Sequence, residues 1–117
     1  MNFFKPIITL FFVLINVFFL TAQKQHGYPA IYSGIPWYDQ NGEAVSAHGA
    51  NIIKDNGKFY LFGEKHYDDN AAFAGFNCYS SADLYNWKFE SIALPVQKTG
   101  KLGPNRIGER PKVNPRI

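Results

Sequence analysis

Asn51-Ile52-Ile53-Lys54-Asp55-Asn56-Gly57-Lys58-Phe59-Tyr60-Leu61-Phe62 is the stretch on which the fold turns. Two short runs rich in β-branched and aromatic residues flank Asp55-Asn56-Gly57. A glycine-containing connection of three residues between such runs predicts a β-hairpin, with Gly57 supplying the positive φ. A second pair lies downstream, Phe73 to Ser80 and Trp87 to Ala93, joined by Ser81-Ala82-Asp83-Leu84-Tyr85-Asn86. Asp83 and Asn86 can cap that turn with their own side chains. Four short strands within about 45 residues, each connected locally to the next, predict an all-β antiparallel meander of the size of one propeller blade.

Upstream of this core, the residues between Ala22 and Gly49 are rich in glycine, proline and polar side chains. They read as an entry segment with one short strand around Ala30 to Tyr32. Downstream, Pro95 opens a loop containing Gly100, Gly103, Pro104 and Gly108, after which Arg110-Pro111-Lys112-Val113-Asn114 predicts the start of another strand. A sheet edge left open where a strand has only begun is an aggregation-prone arrangement. The expectation is therefore a blade cut from a larger protein.

At the N-terminus, Met1 to Lys5 carry one positive charge, Ile7 to Leu20 are apolar apart from Thr9 and Asn16, and Leu20-Thr21-Ala22 ends on a small residue. That order is the layout of a secretory signal peptide, and the run is shorter than the roughly 20 apolar residues of a bilayer span. Residues 1–22 are read as a cleaved signal, with 23–117 as the mature unit, secreted or periplasmic and free of the membrane after cleavage. Without Lys5, eleven basic residues face nine acidic ones, a net charge of about +2. The basic residues form no stripe, which argues against nucleic acid as a partner. Cys78 is the only cysteine, so no intrachain disulfide can form; within an apolar run it reads as a small buried hydrophobe.

Three polar constellations sit at predicted strand ends, where loops carry function. They are Ala47-His48-Gly49 before the first strand, Phe62-Gly63-Glu64-Lys65-His66 after the second, and Gly108-Glu109-Arg110-Pro111 before the fifth. The glycine before Glu64 allows a close backbone approach or a turn. No second His or Cys lies at ligand spacing from His48, so the sequence assigns no metal and His48 reads as a structural or substrate-contacting residue. His66, Asp68 and Asp69 lack the glycine and terminal Glu of a calcium loop and read as plain surface. Glu109 and Arg110 can form a local ion pair. Trp37 and Trp87 suit either packing or stacking on the apolar face of a sugar.

Taken in order, Gly34-Ile35-Pro36-Trp37-Tyr38-Asp39, Ala47-His48-Gly49, Phe62-Gly63-Glu64, Ser80-Ser81-Ala82-Asp83-Leu84-Tyr85-Asn86-Trp87 and Gly108-Glu109-Arg110-Pro111-Lys112-Val113 resemble the first blade of glycoside hydrolase family 43. The likeness is strongest to its exo-β-1,3-galactanase branch. The resemblance implies a five-bladed β-propeller, of which this chain holds the first blade and the start of the second. It also implies inverting hydrolysis of a plant polysaccharide or oligosaccharide, with no cofactor. Inversion uses two groups about 6.5–9.5 Å apart, one protonating the leaving oxygen and one activating water. Most of the family has an aspartate base where this chain has Ala47-His48-Gly49. The galactanase branch departs in the same way, and both its water-positioning residue and the general acid are expected beyond Ile117. Glu64 matches a sugar-hydroxyl ligand, and Glu109 matches the acidic residue that tunes the acid and orients substrate. His48 and Trp37 join Glu64 as candidate substrate contacts. A family 43 enzyme acting on arabinan or xylan and a non-catalytic carbohydrate-binding propeller are the competing readings, and the chain by itself is expected to be inactive.

The order of charge, apolar run and small residue predicts a mature protein that starts at or near Gln23. N-terminal sequencing of exported material should begin there; an intact Met1 would contradict it.

Overall fold

A computed structural model describes residues 27–67, 69–70 and 72–114. The signal-peptide expectation for residues 1–22 lies outside these, and among the described residues no helix is long and apolar enough to cross a membrane. Four strands, β1 (His48–Asp55), β2 (Lys58–Glu64), β3 (Phe76–Ser81) and β4 (Lys88–Leu94), form one antiparallel sheet in the order β1-β2-β3-β4. The predicted meander is therefore the observed one.

The first hairpin closes more tightly than expected. Asp55 pairs with Lys58, so the loop is only Asn56-Gly57, with φ of 46° and 79°. Two consecutive positive φ values are the mark of a type I′ turn, whose twist matches that of the strands it joins. β1 also starts three residues before the apolar run. Its register to β2 shifts between His48 and Asn51, and Gly49 at φ 58° absorbs the extra residue as a bulge. This shift sets His48 opposite Glu64.

The two central strands, β2 and β3, carry the core, and β3 is buried along nearly its whole length. Leu61 pairs with Tyr79, and these two with Trp87 form the buried cluster, against which Trp37, Val45, Ala47, Phe59, Leu84 and Phe89 pack. Burying three such side chains stabilises the fold by about 1.5–3 kcal/mol each. The cover over this face is the entry segment, which folds into a small turn of its own. Tyr38 bridges Ala44, while the Asp39 carboxylate accepts hydrogen bonds from the backbone N–H groups of Asn41 and Glu43 at 2.8 and 3.1 Å. Asp39 also forms a parallel bridge with Trp87, and the Phe89 N–H donates to the Gln40 side chain at 2.8 Å. The stacked rings of Trp37 and Trp87, 6.4 Å apart at 14°, complete the contact. Cys78 is buried and free; burial and then the nearby Glu90 push its thiol above its ordinary pKa.

Three local expectations are corrected. No strand forms at Ala30–Tyr32; the chain there is exposed, and the Tyr32 carbonyl accepts from the Trp37 indole at 2.8 Å. Phe73 lies outside β3 because Gly75, at φ 113°, breaks the extended run. No strand forms over Arg110–Asn114: Arg110 is left-handed at φ 50°, Pro111 has no N–H to donate, and the Val113 N–H is taken by the Asn51 side chain at 3.0 Å.

The Ser81–Asn86 turn behaves as its sequence predicts and does more. The Asp83 carboxylate accepts from the N–H groups of Tyr85 and Asn86 at 3.1 and 2.8 Å, from the Ser81 hydroxyl at 2.9 Å, and from the Asn86 side chain at 2.8 Å. Asn86 in turn receives the Tyr28 N–H at 2.6 Å and donates to the Tyr28 carbonyl at 2.9 Å, tying the entry segment down. The network holds Leu84 at φ 71°, an unfavourable conformation for that residue. Burial by itself would raise the Asp83 carboxyl, but the hydrogen bonds from Asn86, Tyr85 and Ser81 outweigh it and lower its pKa from 3.8 to about 2.

A depressed carboxyl pKa stabilises the fold fully above 3.8, and the contribution fades as pH falls through about 2. Asp83→Ala should therefore lose about 1–2 kcal/mol near neutral pH, a partly exposed hydrogen-bonded carboxylate lying at the lower end for charged acceptors. Its melting temperature should converge on that of the parent protein as the pH is lowered toward 2. A constant difference across that range would rule out the charged hydrogen bonds as the cause.

Candidate functional site

At the end of β2 the chain narrows around Gly63. A Cβ placed there would lie 2.5 Å from Ala47 Cα and 2.6 Å from Ala47 Cβ, so only glycine lets the 45–47 segment cross β2 this closely. A buried polar network holds the crossing. The Asn77 amide donates to the Ser46 carbonyl at 3.0 Å and to the Tyr79 hydroxyl at 3.3 Å. The Ser46 N–H donates to the Tyr79 hydroxyl at 3.1 Å, and the Ser46 hydroxyl accepts the His66 N–H at 3.1 Å. Ser46 thus links the approach to β1 with the exit from β2, and the His48 and His66 rings meet edge to face, 4.7 Å between centroids.

Between them lies Glu64, with 1% of its surface exposed. Its Oε2 is 3.4 Å from His66 Nε2 and 3.8 Å from His48 Nδ1, the His48 ring being largely open to solvent and the His66 ring about a third so. Its Oε1 has no hydrogen-bond partner among the described residues. A buried carboxylate oxygen left unpaired costs on the order of 1–3 kcal/mol or more; Asn77 Oδ1 and Trp87 Nε1 are the other buried side-chain atoms in that position among the described residues. Beside this cluster a cleft of about 490 Å³ is lined by Trp37, Ser46, Ala47, His48, Leu61 and His66, among others.

The structure brings together three of the four site residues predicted from sequence. Trp37 and His48 line the cleft, with Trp37 half-buried, one ring face on Trp87, and Glu64 adjoins His48. Glu109 stands apart: it is exposed and forms no ion pair with Arg110 among the described residues. Its neighbours nevertheless lie against the site's rim. A Cβ at Gly108 would meet the Phe73 ring at 2.5 Å, and one at Gly49 would meet Arg110 Cγ at 3.0 Å.

Sequence reasoning missed His66, Ser46 and Asn77. His66 was read as plain surface, and His48 as having no partner at ligand spacing. The fold adds what spacing does not show: pairing of His48 with Glu64 brings the exposed His66 ring beside both residues. The usable signal was Gly63, whose need for close approach fixes which segment crosses; Asn77 and Tyr79, two apart on one face of β3, carry no comparable mark.

No family model matches the chain, and no curated protein does. Solved structures do match. A GH43 β-1,3-galactosidase bound to galactodeoxynojirimycin is 44% identical with a TM-score of 0.62, the match covering 68% of this chain and 24% of that one. The exo-β-1,3-galactanase of Phanerochaete chrysosporium, with β-1,3-galactotriose, is 38% identical with a TM-score of 0.69, over 72% of this chain and 20% of that one. The exo-β-1,3-galactanase of Clostridium thermocellum is 33% identical with a TM-score of 0.55, over 62% and 15%. The match with each spans a quarter or less of the solved chain.

Because Gly63 has no room for a side chain, Gly63→Ala should cost about 1–3 kcal/mol by overpacking and should push the 45–48 segment away from β2. Thermal denaturation should register the loss, and the imidazole NMR signals of His48 and His66 should shift together. Parent-like stability with unmoved signals would mean that Ala47 and Gly63 part without consequence.

Proposed function

The chain belongs to glycoside hydrolase family 43, and on that footing we propose that it supplies the sugar-holding part of an exported, inverting hydrolase acting on β-1,3-linked galactan. The observation that carries this reading is Glu64: a buried carboxylate with an unpaired oxygen, set beside a cleft with an aromatic wall. A sugar hydroxyl donates readily to such an oxygen, and an indole such as Trp37 accepts the apolar face of a pyranose ring. His48 and His66 then flank the bound ring and read its hydroxyl pattern.

Cleavage asks for more. An inverting mechanism needs an acid and a water-activating group on opposite sides of the bond, about 6.5–9.5 Å apart. In this reading Glu64 is committed to binding, and Glu109, exposed and unpaired, approaches only once further blades close the channel. There it tunes a neighbouring acid, since a carboxylate beside another raises its pKa. The chain alone should bind sugar and leave it intact.

Titration of the chain with β-1,3-galactobiose, followed by tryptophan fluorescence and by galactose release, tests this directly. Saturable binding, a loss of at least about tenfold in affinity in Glu64→Gln as expected for a charged hydrogen bond, and no release of galactose are the expected results. Tighter binding of arabino- or xylo-oligosaccharides would move the specificity to a sibling enzyme. Binding untouched by Glu64→Gln would remove Glu64 from the site, and galactose release would overturn the division of labour.

A further inference from the structure

We propose that His48, Glu64 and His66 also form a binding site for a divalent transition-metal ion of the zinc class. One nitrogen from each ring and one carboxylate oxygen lie within 4.8 Å of one another. Ligands about 2.0–2.2 Å from a tetrahedral zinc are separated from each other by roughly 3.4 Å. The His66–Glu64 distance is 3.4 Å and the His48–Glu64 distance 3.8 Å, so the cluster is already close to that spacing. Rotation of the two exposed rings would have to bring the remaining nitrogen–nitrogen separation, which lies within 4.8 Å, to the same spacing. Two imidazoles and a carboxylate are a donor set that suits zinc, iron, copper or nickel far better than magnesium or calcium.

A second observation points the same way. Among the described residues Glu64 is the largest fully buried side chain, its Oε1 lacks a hydrogen-bond partner, and its Oε2 faces the two imidazole nitrogens at 3.4 and 3.8 Å. A buried carboxylate with one orphaned oxygen is costly; a cation between Oε2 and the two nitrogens would offset the burial of its charge. The backbone supports the arrangement: the His66 N–H is fixed on Ser46 at 3.1 Å, and the bulge at Gly49 holds His48 across from Glu64. No described residue hydrogen-bonds the far nitrogens of the rings, and without such outer support affinity falls by about 10–100-fold. The site should be of moderate strength and should keep one or more positions open to water or an exogenous oxygen ligand.

The inference does not depend on sugar binding, because it is tested with zinc chloride alone. Calorimetric titration of the full chain in a non-coordinating buffer should give one ion per chain. The chain has three histidines in all, which makes the controls complete. His48→Ala and His66→Ala should each weaken binding at least tenfold while near-ultraviolet circular dichroism stays unchanged, and His26→Ala should bind like the parent. Cobalt(II) bound to the same site should show the intense visible absorption of low coordination number. Absence of binding, or binding that persists in His48→Ala and His66→Ala but is lost in His26→Ala, would overturn the site.

Discussion

The crossing of Ala47 over Gly63 is the contact on which the rest of this structure depends. A hydrogen atom in place of a methyl group is what lets the entry segment descend onto β2. Once there, Val45 and Ala47 close the Leu61–Tyr79–Trp87 cluster, and Ser46 enters the network of Asn77 and Tyr79. The same descent delivers His48 to Glu64. Packing and site geometry are thus consequences of one steric allowance, so a change at Gly63 is felt in the core and at the carboxylate together.

Much of the fold was readable because it is written locally. Asn56-Gly57 specifies its own turn, Asp83 and Asn86 specify theirs, and the apolar runs between them mark the strands. The errors fell where a local pattern met a non-local partner. Val113 looked like a strand residue, yet its N–H is claimed by a side chain 62 positions away. Phe73 looked continuous with β3, yet Gly75 turns the backbone and Phe73 packs against Phe76, 4.9 Å between rings.

The site divides in the same manner. Glu64, His48 and Trp37 stand out in the sequence as strand-end and aromatic residues, and the fold sets them near one another. His66 was passed over because its partner is defined by register, and a bulge of one residue cannot be read from composition. Ser46 and Asn77 are polar residues whose roles exist only after the chain has crossed. Glu109 remains the least constrained of the candidates, its surroundings fixed by Gly108 and Arg110 more than by its own contacts.

The orphaned oxygen of Glu64 has an evolutionary corollary. A neutral or apolar side chain of similar size at this position would relieve the burial cost and make the blade sturdier, so a population evolving under heat alone, with no demand for ligand, should discard Glu64 early. Keeping the acid therefore trades stability for a buried oxygen still able to accept a donor.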